Sequence, residues 1–103
     1  SIKTINTNSL GNITTIRQYA FAECSSLKSI TIPSSVTAIE KYAFYFCSYL
    51  RNVIVLNPTP PTLGSDAFYA TSTALVIYVP AESVSAYQTA WSGYSSKIQA
   101  LPN

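Results

Sequence analysis

The chain repeats itself at a fixed interval. Ile16, Tyr19, Ala20, Phe21, Cys24, Leu27, Ile30 and Ile32 return 23 positions later as Ile39, Tyr42, Ala43, Phe44, Cys47, Leu50, Val53 and Val55. A third copy comes one residue late, with Leu63, Ala67, Phe68, Ile77, Val79 and Pro80 in the places of Ile39, Ala43, Phe44, Val53, Val55 and Leu56. A period in the twenties is the mark of a solenoid, because one such unit is too small to bury its apolar set alone and must stack on its neighbours. The fold class is therefore read as an α/β repeat solenoid of about three and a half coils with a C-terminal helical cap.

Each unit can be taken apart by period. Ile30-Thr31-Ile32 alternates in and out as a short strand. Pro33 stops it and Ser34-Ser35 turns the chain. Residues 36–39 form a second short extended piece, and Tyr42 to Cys47 is expected to be a tight helical turn. Stacking at the ~4.8 Å strand spacing then predicts ladders of Phe21 on Phe44 on Phe68, and of Ile30 on Val53 on Ile77. In the third unit Asn57 to Thr62 carries three prolines and is expected to replace the second extended piece. It is read as a coil-to-coil loop, the alternative being a proline-rich docking segment.

At the start, Ile2 to Thr7 resembles Leu27 to Ile32, with two extra residues before Leu10. Residues 1–15 are taken as a partial, edge-forming coil that implies a missing upstream repeat or a packing partner. At the other end, Val84, Tyr87 and Trp91 share one helical face behind Pro80, and Tyr94, Ile98 and Leu101 return to the stack. One domain follows, 1–103, with coils at 16–38, 39–62 and 63–80 and a cap at 81–103.

Composition narrows the function classes. Charged residues are only 10% of the chain and the formal charge is +2 with no basic run, so the dense positive stripe of a nucleic-acid binder is missing. The longest apolar run, Ala74 to Val79, is far shorter than the ~20 residues that cross a bilayer, so no membrane insertion by this segment is expected. There is no His, and two thiols alone do not hold zinc, so neither a metal nor a cofactor is expected. Glu23, Glu40 and Asp66 differ in phase and cannot face one another as a catalytic pair; Asp66 is read as a helix N-terminal residue. No catalytic residue is assigned. Asn12-Ile13-Thr14 fits the glycosylation pattern but is read as chance.

Taken as a whole, the motif Ile-x-x-Tyr-Ala-Phe-x-x-Cys-x-x-Leu-x-x-Ile-x-Ile-Pro, with the ending from Ile77 through Trp91 to Ile98, resembles the BspA-like leucine-rich repeats of bacterial surface proteins. The approach Pro60-Pro61-Thr62-Leu63-Gly64 to the last Ala-Phe pair does so too. That resemblance implies a right-handed leucine-rich-repeat stack and a secreted or cell-surface bacterial location, with adhesion or protein binding as the activity. Ser35 stands where common leucine-rich repeats place Asn or Cys, so ligand rules of the larger horseshoes do not transfer.

Cys24 and Cys47 hold equivalent places in adjacent coils, within disulfide reach, and the slot also suits small buried thiols; the reading favours the latter. For binding, the outward strand positions are Ser29, Thr31, Asn52, Ile54, Val76 and Tyr78. Ile54, Val76 and Tyr78 would form an apolar patch, either an interface or a surface that flanking segments cover. Tyr19, Tyr42, Tyr45, Tyr49 and Tyr69 form a second cluster on the turn side. Three functions stay in play. The leading one is a non-enzymatic adhesion module that contacts a host or bacterial surface protein through the strand face. The others are a spacer or terminal cap without a ligand, and glycan binding through the tyrosines.

Overall fold

Each repeat contributes two short extended pieces and a run of turns between them. The computed structural model describes residues 4–5 and 13–102. Its strands are β1 (Thr4–Ile5), β2 (Thr15–Ile16), β3 (Ser29–Ile32), β4 (Ala38–Ile39), β5 (Asn52–Val55), β6 (Thr62–Leu63), β7 (Val76–Val79) and β8 (Ile98–Ala100). They form two parallel sheets, one of five strands in the order β1-β3-β5-β7-β8 and one of three in the order β2-β4-β6.

The registers follow the repeat. Ile30 pairs with Val53 and Val53 with Ile77, and in the second sheet Ile16 pairs with Ile39 and Ile39 with Leu63. Ile5 pairs with Ile30, which is the register that two extra residues after the first strand require. Most of the partial coil assigned to 1–15, and Asn12 of the glycosylation pattern, lie outside the described residues. The coil boundaries at 15/16, 38/39 and 62/63 each cut through a strand of the smaller sheet, since a periodic chain can be divided at any phase. The proline-rich loop does not abolish the second extended piece: Thr62–Leu63 still pairs with Ala38–Ile39.

The expected helical turn is absent from Tyr42 to Cys47. The amides of Ala43, Tyr45 and Cys47 each bond the carbonyl three residues back, at 3.2, 3.2 and 3.1 Å. Those of Tyr42, Phe44 and Phe46 instead reach Ser65, Ala67 and Tyr69 of the next repeat, at 3.2, 2.7 and 2.9 Å. One repeat earlier, Phe21 and Glu23 donate to Ala43 and Tyr45 at 2.9 and 2.6 Å. A helix would spend every amide inside its own segment, whereas alternating turns leave every second one free to bridge. Around the middle turn of each strip the backbone is left-handed at two places, Tyr19 and Glu23, Tyr42 and Phe46, and Asp66 and Ala70, with φ between 54° and 61°. Asp66 is thus a turn residue, not a helix N-terminal one.

Inside, Phe21, Phe44 and Phe68 stack with centroids 5.3 and 5.2 Å apart and planes within 9°. Around them Leu27, Leu50, Ile30, Val53, Ile77, Ile32, Val55 and Val79 are buried in one continuous core. Gly64 sits where a Cβ would overlap the backbone nitrogen of Lys41 and lie 2.6 Å from the Glu40 carbonyl carbon and the Lys41 Cα, so only glycine lets the third repeat close on the second.

The C-terminal segment is helical over α1 (Val84–Ala90), flanked by 3₁₀ turns at Ala81–Ser83 and Ser92–Lys97. Tyr87 and Trp91 are buried and Val84 packs against the core, as their shared face predicts. The segment does more than cover an edge, because β8 extends the large sheet by pairing Ile77 with Ile98 and Tyr78 with Gln99. Its polar groups are anchored on the proline-rich loop. The Ser83 hydroxyl donates to the Pro58 carbonyl (2.6 Å), the Tyr87 hydroxyl to Asn57 (2.6 Å) and the Trp91 indole to Pro61 (2.9 Å). Those carbonyls are committed to the cap, which fits a structural loop.

Phe44→Ala removes the central ring of the stack and should destabilise by about 3–5 kcal/mol, against a total of about 5–15 kcal/mol for a domain of this size. Urea denaturation would show the midpoint collapsing, and an unchanged curve would refute the ladder. Gly64→Ala, which adds one methyl group, should still cost about 1–3 kcal/mol through backbone overlap, read as a lower melting temperature.

Candidate functional site

Among the described residues the carboxylates Glu23, Glu40 and Asp66 stand apart. Glu40 accepts the Gln18 amide at 2.9 Å through Oε1, while Asp66 and Glu23 lie exposed in different rows of the turns. Among the described residues no group of three or more His, Cys, Asp or Glu could hold a metal ion. Cys24 and Cys47 are both free. The Cys47 thiol donates to the Phe21 carbonyl at 2.8 Å. Burial pushes that thiol up to about 11, a backbone hydrogen bond from Cys24 opposes the rise, and the neighbouring Cys24 sulfur adds to it. Such a group is a packed apolar element and a poor nucleophile at neutral pH.

The six strand residues do share one face. Ser29, Asn52 and Val76 form one row across the large sheet; Thr31, Ile54 and Tyr78 form the next, which continues to Gln99 of β8. Their neighbours on the opposite face are fully buried, so the in-and-out alternation holds on β3, β5 and β7. Asn52 is exposed; the other five are half-buried, so the apolar patch of Ile54, Val76 and Tyr78 is flatter and less accessible than alternation alone suggests.

The turn side exposes more apolar surface. Tyr19 stacks on Tyr42 at 5.3 Å with planes 14° apart, and Tyr45 stacks on Tyr69 at 5.6 Å and 16°. Tyr42 meets Tyr45 edge to face at 5.4 Å, which joins the two stacks. Phe46 closes on Tyr45 at 4.4 Å and on Tyr69 at 5.8 Å, both nearly perpendicular. The result is one ribbon of five rings running diagonally across three repeats. Tyr19 and Tyr69 are each 51% exposed and Phe46 is 44% exposed. Desolvation comes first in lifting the Tyr45 hydroxyl above its ordinary value, followed by the charges of Tyr69, Tyr19, Tyr42 and Glu23. A shallow cleft of about 270 Å³ lies between Tyr42, Tyr45, Asp66 and Tyr69.

Two details of this side differ from the sequence reading. Phe46 belongs to the ribbon, yet its row partners are Glu23 and Ala70, so comparison between repeats gives it no signal. Tyr49 does not belong: it lines a separate cleft with Lys28, Ser48, Arg51 and Ser72. Ser35, at the position where an Asn or Cys would be usual, donates to Ile13 of the previous repeat at 2.7 Å, and the Asn57 side chain donates to Val36 at 2.9 Å. A hydroxyl and an amide thus bridge repeats here.

Against known families, the model described as BspA type leucine rich repeat region matches residues 1–99 in six copies. A search of curated proteins finds no match. Among the described residues no helix is long and apolar enough to cross a membrane.

The buried thiol and the cap hydroxyl make the fold alkali-sensitive. Burial raises Cys47 from 9.0 to about 11 and drives Tyr87 well above 10.0. Both groups are neutral in the fold, so the contribution of Cys47 is complete below about pH 9 and is lost as pH rises through about 11, while that of Tyr87 is complete below about 10 and is lost only at still higher pH. The denaturation midpoint should hold from neutral pH to about 9 and then fall. Native alkylation should label half-buried Cys24 well before Cys47.

Proposed function

The chain belongs to the BspA-type leucine-rich repeat family, and from that premise we propose that it is a non-enzymatic binding or adhesion module of a secreted or cell-surface bacterial protein. In this reading it is a right-handed solenoid of about three and a half coils closed by its C-terminal cap. The partner is a protein, held against the aromatic ribbon of Tyr19, Tyr42, Tyr45, Phe46 and Tyr69.

One observation carries the choice of surface. Tyr19, Tyr42 and Phe46 occupy left-handed backbone, with φ of 61°, 59° and 57°. Bulky residues are rare there, at a cost of about 1–2 kcal/mol each relative to right-handed backbone, and glycine would meet the turn without it. Keeping exposed Tyr19 and Phe46 and half-buried Tyr42 at strained positions supports a role for the rings themselves. Tyrosines of this kind are favoured anchors in protein interfaces, presenting apolar edges together with a hydroxyl. The ribbon suits a protein better than a sugar. Tyr19 with Tyr42, and Tyr45 with Tyr69, turn faces toward each other, whereas a sugar ring needs an open face.

The strand face is the second reading. Its two rows continue across β3, β5 and β7 in unbroken register, which favours a flat partner there. Surface plasmon resonance against host extracellular-matrix and bacterial surface proteins, at two salt concentrations, separates the two. Phe46→Ser with Tyr69→Ala should weaken a saturable, salt-resistant signal by about tenfold or more, while Tyr78→Ala with Ile54→Ser leaves it near the parent value. The reverse pattern places the contact on the strand face, and silence across the panel favours a spacer without a ligand.

A further inference from the structure

We propose that Lys28, Arg51 and Tyr49, with Ser48 and Ser72, form a subsite for an acidic sugar, one bearing a carboxylate or a sulfate. These five residues line a cleft of about 370 Å³ on the corner that leads into the large sheet, separate from the aromatic ribbon. Lys28 and Arg51 hold equivalent places in adjacent repeats, and the Arg51 amide donates to the Lys28 carbonyl at 3.0 Å. Both side chains are exposed, and they leave backbones about one strand spacing, ~4.8 Å, apart. Like charges placed opposite each other across a sheet are destabilising, and no carboxylate lines the cleft to offset them. An anion seated between them removes that repulsion and accepts charge-assisted hydrogen bonds from both, bidentate from the guanidinium.

The remaining lining specifies the rest of the ligand. Tyr49 is 60% exposed, the most open large apolar side chain among the described residues. Unlike Tyr19, Tyr42, Tyr45 and Tyr69, it has no ring stacked on it among the described residues, so its face is open. An open aromatic face receives the apolar face of a pyranose ring, and the hydroxyls of Ser48, Ser72 and Tyr49 can exchange hydrogen bonds with ring hydroxyls. A bare inorganic anion would leave Tyr49 unused, and an acidic peptide would leave most of the hydroxyls unanswered. The sugar uses all three kinds of group.

Isothermal titration of the whole chain with oligogalacturonate, with a heparin-type sulfated oligosaccharide and with oligoglutamate tests this at low and moderate salt. At least one acidic sugar should bind saturably, and the tighter of the two tells carboxylate from sulfate. Arg51→Gln should weaken that binding by about tenfold, and Tyr49→Ala by about fivefold. Circular dichroism should be unchanged, since both side chains are exposed. Tyr69→Ala should leave the affinity unchanged, so the ribbon's role in protein binding can fail without touching this result. Oligoglutamate binding as tightly as the sugars would overturn the proposal, as would an affinity indifferent to Tyr49→Ala and Arg51→Gln. Absence of saturable binding to either sugar would do the same.

Discussion

The spacing between repeats is set by backbone amides that alternate in their choice of partner. In the turn strip, one amide closes a turn inside its own repeat and the next crosses to the neighbouring one. Because a buried amide must be satisfied somewhere, this alternation makes the turns both locally closed and bonded to the adjacent repeat. Three bonded edges, two of strands and one of turns, then hold successive repeats in register. The phenylalanine stack follows from that spacing: rings in equivalent positions must meet face to face at a little over 5 Å.

What repeats is legible, and what occurs once is not. The pairing of Ile30 with Val53 and Ile77, the ring stack and the two-residue offset at the first strand could all be read from spacing alone. The turns could not. Ala43-Phe44 at the centre of a short apolar segment suits a helix as well as a pair of turns, and nothing in residue type announces left-handed tyrosine or phenylalanine. β8 was hidden for a related reason, since Ile98 to Ala100 lacks the alternation and β-branched run of the earlier strands. Of the surfaces, the strand face could be laid out from a period of two, whereas the ribbon depends on a diagonal between rows that comparison within each row does not reveal.

The third repeat shows how a periodic structure is brought to a stop. Its prolines remove donors from the loop between Asn57 and Pro61, and its carbonyls are answered by hydroxyls and an indole from the cap instead of by another repeat. Tyr94 reinforces the same junction, its ring edge-on to Phe68 at 5.3 Å and its hydroxyl accepting the Phe68 amide at 3.4 Å. Aromatic residues of the cap take over from the phenylalanine stack, Trp91 lying 6.2 Å from Phe68 at a tilt. Polar anchoring and ring packing thus hand over at the same place.

Among the described residues six turn positions are left-handed, Tyr19, Glu23, Tyr42, Phe46, Asp66 and Ala70, and none is glycine. They divide the work of the chain between two sets of positions. Interior places tolerate only side chains that fit the stack, and drift there is limited to exchanges such as Ile for Val. The left-handed places touch no such constraint, and across three copies they range from tyrosine through glutamate to alanine. A lineage built on this frame can therefore rewrite its outer surface one row at a time while the scaffold beneath stays fixed, and duplicating a repeat delivers a fresh pair of such positions ready to diverge.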